Sequence, residues 1–174
     1  MSKFSQKLSV NALVKISVVA AIYIVTTISL GDLAYGPIQF RVSELLNFLA
    51  FIDPLYIPAL VIGCAISNLY SFGPIDVIVG SLATLISTYL MYKSKNLFMA
   101  SLWPLINCIV VPIELYIVLN QPILYNVFTI FIGEFAIMSI IGYPIFKKLF
   151  KNKHFIEAIR IDRDNSTYME KLQF

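Results

Sequence analysis

Long apolar stretches recur along almost the whole of this chain, separated by short clusters of Gly, Pro, Asp and Asn. A bilayer core is about 30 Å thick and a helix rises about 1.5 Å per residue, so ~20 mainly apolar residues make one span. The stretches fall at residues 11–30, 41–52, 55–70, 75–92, 97–119 and 123–150. Six spans take up about 120 residues, which leaves a chain of 174 only short loops and a tail. Composition points the same way. Hydrophobic residues make up 59% and charged residues 13%, against about 25% charged in an ordinary soluble domain, and the mean hydropathy is +0.81. The reading is an all-α integral membrane protein with six transmembrane helices over residues 1–153 and a polar tail of low order over 154–174.

The basic lead and apolar run at the N-terminus read as a retained first span. The run is too long for the core of a signal peptide, and no small-x-small site closes it. Residues 41–52 are short for a helix that crosses the bilayer. Twelve residues rise only about 18 Å, so this segment is broken or recruits part of the loop at 31–40. Pro104 and Pro112 lie inside the fifth stretch and predict a kink or local unwinding, because proline removes one bond of the helical ladder.

With an even number of spans, both termini share a side. That side receives Lys3, Lys7, Lys15, Lys93, Lys95, Lys147, Lys148, Lys151, Lys153, Arg160, Arg163 and Lys171, and Arg41 alone falls on the other. The positive-inside rule makes both termini cytoplasmic. A glycosylation acceptor at Asn165-Ser166-Thr167 would then be unused.

Several chemistries are disfavoured by what the chain lacks. There is no phosphate-binding G-x-x-x-x-G-K-[ST] loop, so ATP hydrolysis is not expected in this chain. No Ser/His or paired metal-ligand motif lies in the spans, so neither catalytic residues nor a metal site is expected. Cys64 and Cys108 sit in apolar runs and His154 is solitary. Net charge is +3 without a Lys/Arg-rich patch, which argues against nucleic acid as a partner.

The ionisable residues inside the spans are more telling, since each costs about 2.5–3.5 kcal/mol at the bilayer centre. Glu114 lies five residues before the outer end of the fifth stretch and Glu134 eleven residues into the sixth, about 8 Å and about 16 Å deep. Asn107 is seven residues before Glu114 on the same helical face and near the depth of Glu134, so the three are expected to converge on one cavity. Gln39, Arg41, Glu44 and Asn47 enter the second segment from outside, while Asn68 closes the third and Asp76 opens the fourth. Four acids, Glu44, Asp76, Glu114 and Glu134, thus face the single cation Arg41. If Arg41 pairs with Glu44, three spaced apart on one helical face, an acid surplus remains. Such a pocket suits a small polar molecule with N–H donors or a positive charge, because adjacent donors on a planar ring match a carboxylate as an arginine fork does. Tyr35, Tyr70, Phe72 and Tyr125 near the mouth are candidates to stack on a flat ring.

Plainer roles compete with each of these. Arg41 with Glu44 also reads as a structural pair, and Glu114 and Glu134 as neutral acids bonded to neighbouring helices. Asn68 and Asp76 stand where helix caps stand, and the aromatics fit an interfacial belt. On the first helix Ser17, Ala20 and Ala21 form a small-residue stripe, which admits another helix closely, whether internal or from another subunit.

The run Gly36-Pro37-Ile38-Gln39-Phe40-Arg41-Val42-Ser43-Glu44 resembles the signature of the QueT-type queuosine-precursor transporters, substrate-binding S-components of energy-coupling factor (ECF) transporters. Further similar pieces are Ile62-Gly63-Cys64-Ala65 leading to Asn68, Ile75-Asp76-Val77 before Gly80-Ser81-Leu82-Ala83-Thr84, Asn107 followed by Glu114, and Gly133-Glu134, so that the resemblance covers about residues 16–148. It implies a six-helix S-component in a bacterial cell membrane that captures a 7-deazaguanine from outside. It also implies assembly with a transmembrane coupling protein and two ATPase subunits that use ATP and Mg. In that family an alanine motif on helix one meets the coupling protein, and here Ser17 stands at its first alanine position and Ala21 at its second. The site residues implied are Gln39, Arg41, Glu44, Asn68, Asp76, Asn107, Glu114 and Glu134. An S-component for another vitamin or nucleobase, and a structural membrane protein with no solute, are the alternatives.

Overall fold

A computed structural model describes residues 9–71 and 73–161. All regular structure among them is helical. Helix α1 spans Val10–Leu30 and is capped by the Ser9 hydroxyl, which accepts from the Ala12 amide. A one-turn helix α2, Asp32–Tyr35, follows. Next come a 3-10 turn, Val42–Asn47, running into α3, Phe48–Ile52, and a second 3-10 turn, Pro54–Tyr56, running into α4, Ile57–Asn68. Helix α5 covers Pro74–Lys93, with Pro74 in its first turn, where a missing N–H is harmless. Helices α6, Leu97–Leu102, and α7, Asn107–Leu119, are joined by a 3-10 turn, Trp103–Ile106. Helices α8, Ile123–Glu134, and α9, Tyr143–Leu149, are joined by a π-helix, Phe135–Gly142, and α10 covers Lys153–Ile159.

Four continuous helical stretches are long and apolar enough to cross a bilayer: Val10–Leu30, Pro74–Lys93, Leu97–Leu119 and Ile123–Leu149. Two shorter apolar stretches, Val42–Ile52 and Pro54–Asn68, pack beside them, the first buried along α3 and the second leaving Ile62 and Ile66 exposed. The outward face of α1 is aliphatic, with Leu13, Val14, Val18, Ile22 and Val25 all exposed. For a chain of this composition such a surface faces lipid. The structure therefore defines a multi-pass helical membrane protein.

The expected break in the fifth stretch is present, and Pro104 is its cause. It sits in the 3-10 turn between α6 and α7, whereas Pro112 is carried inside α7 without ending it. The short second segment is half 3-10, which rises about 2.0 Å per residue, so Val42–Ile52 reaches about 20 Å. It does not need to touch lipid. Every residue of α3 is buried, as expected for a helix that is apolar all round. Phe48 stacks on Phe146 at 4.7 Å between ring centroids, and Phe146 meets Phe150 edge-on at 5.4 Å. This aromatic cluster closes one end of the bundle.

Helix α10 docks at the same end. The Tyr56 hydroxyl donates to the Ile159 carbonyl at 2.5 Å, Lys15 Nζ to the Arg160 carbonyl at 2.9 Å, and the Ile161 amide to Asp53 Oδ2 at 3.2 Å. The first part of the tail, expected to be of low order, is instead a helix tied to α1 and to the turn before α4. The remainder, with Arg163, Lys171 and Asn165-Ser166-Thr167, lies outside the described residues, as do Lys3, Lys7 and Phe72.

Candidate functional site: a buried polar chamber

Opposite the aromatic end, polar side chains replace apolar ones in the interior. The loop at residues 36–41 folds inward over the top of the bundle. Its turns are closed by the Gln39 amide to the Gly36 carbonyl at 3.0 Å and the Phe40 amide to the Leu33 carbonyl at 2.8 Å. Gln39 takes a positive φ of 50°, an uncommon conformation for a residue with a side chain. The loop is seated on α8, where a β-carbon at Gly133 would collide with the Ile38 carbonyl oxygen. Gln39 and Arg41 are both buried. Irregular backbone at membrane depth is tolerated where protein covers it or where it lines a cavity.

The chamber has two storeys. In the lower one Asn107, at the start of α7, donates from Nδ2 to Glu134 Oε1 at 2.7 Å and to Glu44 Oε1 at 3.4 Å. Asn47 Nδ2 donates to Glu44 Oε2 at 3.3 Å. The two carboxylates also lie close enough to interact directly. Exposure is 1% for Glu44, 0% for Asn47, 6% for Asn107 and 2% for Glu134, so these polar groups are shut off from bulk water. Glu134 ends α8 just where the π-helix begins, and π-segments of this kind recur at functional sites.

The upper storey holds Arg41, Asp76 and Glu114, which lie within electrostatic reach of one another, and Arg41 is within reach of Glu44 and Glu134 below as well. Among the described residues Arg41 makes no ion pair, so the expected Arg41–Glu44 bridge is not formed. Its guanidinium instead lies 5.8 Å from the centre of the Tyr35 ring. Tyr35, whose phenol is held above its ordinary pKa chiefly by partial burial, donates to the Ser67 carbonyl at 2.8 Å. Glu114 does not join Asn107 and Glu134. Seven helical residues put it on the face of Asn107 but about 10 Å further along the axis. Its carboxylate meets no partner and lies in a groove of about 260 Å³ between α5 and α7, lined otherwise by Ile75, Val79, Val110, Ile113, Ile117 and Val118.

Asn68 and Asp76 act at the α4–α5 junction. Asn68 Nδ2 donates to the Asp76 carbonyl at 3.0 Å and fills the space over Gly80, where a β-carbon would strike it. The Asp76 carboxylate accepts from the Ser71 hydroxyl. The two residues thus tie the end of α4 to the start of α5, which begins without a side-chain cap. Of the mouth aromatics among the described residues, Tyr70 and Tyr125 are exposed and Tyr35 turns toward the site.

Several buried polar atoms have no partner at all: Tyr23 Oη, Arg41 Nε, Asn47 Oδ1, Asn68 Oδ1 and both oxygens of Glu114. Buried polar atoms are nearly always bonded, so a group of orphans calls for an explanation. Tyr23 belongs to no motif in the sequence. It comes from the middle of α1, is fully buried, and lies within electrostatic reach of Arg41 and Glu44. Its signal was a tyrosine at mid-span, where an interfacial belt has no use for one. Among the described residues no three His, Cys, Asp or Glu side chains gather as metal ligands.

A multi-pass helical protein with a buried polar cluster, several of whose donors and acceptors have no partner, has features that suit a membrane transporter. Residues 13–151 match the family model described as QueT transporter, and the chain belongs to that family. A relative named Queuosine precursor transporter QueT, from Lactococcus lactis subsp. cremoris (strain MG1363), is 40% identical, the match covering 80% of this chain and 92% of the relative. No solved structure matches.

Proposed function

We propose that this chain is the substrate-binding S-component of an ECF-type importer and that it captures a queuosine precursor, a 7-deazaguanine, from outside the cell. The observation that carries the reading is the set of orphaned polar atoms in the chamber. A flat heterocycle with N–H donors on one edge and acceptors on another would satisfy Glu134 and Glu44 from one side and Arg41 and Tyr23 from the other. Asn107 and Gln39 are then placed for the remaining polar edges, and the loop that carries Gln39 and Arg41 covers the ligand. The name of the Lactococcus relative supports this choice of solute.

In this reading Val42–Ile52 and Pro54–Asn68 count with the four long stretches as six spans. Twelve of the thirteen basic residues then lie on the cytoplasmic side with both termini. Transport is driven by partner chains: a transmembrane coupling protein and two ATPase subunits that hydrolyse ATP with Mg. Ser17 and Ala21 are exposed on the lipid-facing side of α1 and Ala20 is half-buried, which suits a surface where another helix packs closely. Mild purification from the native bacterial membrane, followed by mass spectrometry, tests the reading. It predicts a retained 7-deazaguanine and co-purifying ATPase subunits. An empty, homogeneous oligomer of this chain would favour a structural protein, and a different bound solute would reassign the substrate.

A further inference from the structure

Three of the long apolar stretches reach the membrane boundary together at the aromatic end of the bundle. Helix α5 stops at Lys93, the next stretch begins at Leu97, and the last stops at Leu149. Met91 and Leu97 share one core with Phe146 and Phe150, so these ends lie side by side. Lysines crown them. Lys93 and Lys95 flank Ser94 between α5 and α6, and Lys147 and Lys148 stand in the last turn of α9. All four are exposed, and among the described residues no carboxylate pairs with any of them. Asp53, at the same end, is buried and accepts from the Leu55 and Ile161 amides, while the exposed Glu157 stands 4.0 Å from His154 on α10.

Aromatic rings hold two of these lysines in place. Lys147 Nζ donates to the Tyr143 hydroxyl at 3.1 Å and lies 5.3 Å from the centre of that ring, and Lys93 Nζ lies 5.5 Å from the centre of the Tyr89 ring. An ammonium group seated on a ring keeps its charge, and Lys147 spends one of its three donors on Tyr143. Tyr143 in turn meets Phe98 edge-on at 5.4 Å, which joins α9 to α6. Lys95 precedes Phe98 by three residues, in a turn fixed from both sides. The Trp103 indole donates to Ser94 Oγ at 2.7 Å, and Asn96 Oδ1 accepts from the Met99 amide at 2.7 Å. Deeper in the bilayer the same face is apolar, with Phe98 47% and Ile140, three residues before Tyr143, 62% exposed. Cations at the boundary, aromatic rings beneath them and an aliphatic surface below follow the order of phosphate, glycerol ester and acyl chain in a phospholipid. We propose that the face shared by α6 and α9 binds an anionic phospholipid, its phosphate between Lys95 and Lys147 and an acyl chain over Phe98 and Ile140. An acidic protein surface would answer the lysines but not the apolar lane at bilayer depth.

Thermal unfolding of the delipidated full chain in a neutral detergent, titrated with dioleoyl phosphatidylglycerol or dioleoyl phosphatidylcholine, tests this. A lipid that binds the folded state raises the unfolding midpoint. Phosphatidylglycerol is expected to raise it saturably, and phosphatidylcholine at the same mole fraction is not. The double variant Lys95→Gln/Lys147→Gln is expected to need about tenfold more phosphatidylglycerol for half the rise. Lys151→Gln/Lys153→Gln removes the same charge next to α10, outside the lane, and is expected to change that amount about twofold or less. Phe98→Ala keeps every lysine and removes the ring from the lane, and it too is expected to weaken the effect, by about threefold. An equal rise with phosphatidylcholine, or none with either lipid, overturns the proposal. So does an equal loss in the two lysine variants, because the charge would then act diffusely, and so does an unchanged response in Phe98→Ala, because no acyl chain would lie there.

Discussion

The two ends of the bundle are built on opposite principles. Around Phe48, Phe51, Phe146 and Phe150 the interior is aromatic and aliphatic, with α10 bonded across it, so most groups have a partner. At the other end Arg41, Glu44, Asn47, Asn107, Glu114 and Glu134 are just as buried, and several of their polar atoms have none. Lipid is as apolar as a protein core, so helices in a membrane are held by packing and by satisfied hydrogen bonds rather than by expulsion from water. The aromatic end therefore supplies rigidity. In the proposed function the polar end holds acids and donors in place for a molecule that arrives later.

Mutations that separate stability from binding sharpen this contrast. Gly133→Val is expected to have the largest effect on binding, because a side chain there displaces the Ile38 carbonyl and with it the loop bearing Gln39 and Arg41. Affinity for the 7-deazaguanine should fall by about 100-fold, on the order of 3 kcal/mol, as read by isothermal titration. Phe48→Ala acts at the opposite end. It removes a ring stacked on Phe146 and should lower unfolding stability by roughly 2–3 kcal/mol, somewhat below the usual cost in a water-soluble core, with affinity changed less than twofold. Denaturation in mixed micelles with parallel titration measures both. Tyr56→Phe is the mildest. Losing its bond to the Ile159 carbonyl should cost about 1 kcal/mol and speed proteolysis after α10, leaving binding untouched.

Much of this division was legible in the sequence, and its limits have physical causes. Apolar runs of bilayer length located the long helices, and Pro104 and Pro112 together announced a break in the fifth stretch, which falls at Pro104 alone. The acids inside apolar stretches marked the polar end. Their grouping was harder to read. Helical periodicity puts Asn107 and Glu114 on one face, but axial rise separates them by about 10 Å, so only the first reaches Glu134. Spacing of three residues suggested an Arg41–Glu44 bridge, yet Arg41 belongs to the loop before the 3-10 turn, whose geometry carries its side chain toward Tyr35. The π-helix after Glu134, the seat of the loop on Gly133 and the place of Tyr23 depend on contacts between distant segments, and no local pattern encodes them.

The account stands on Glu134 serving a ligand rather than the fold. Titration of wild-type protein and of Glu134→Gln with a 7-deazaguanine queuosine precursor, alongside their thermal unfolding, tests it most directly. An affinity loss of about 100-fold, on the order of 3 kcal/mol for a charged hydrogen bond made to the ligand, with an unfolding midpoint close to wild type, is the predicted result. Unchanged affinity, or a collapse of the unfolding midpoint without a specific loss of binding, would contradict it.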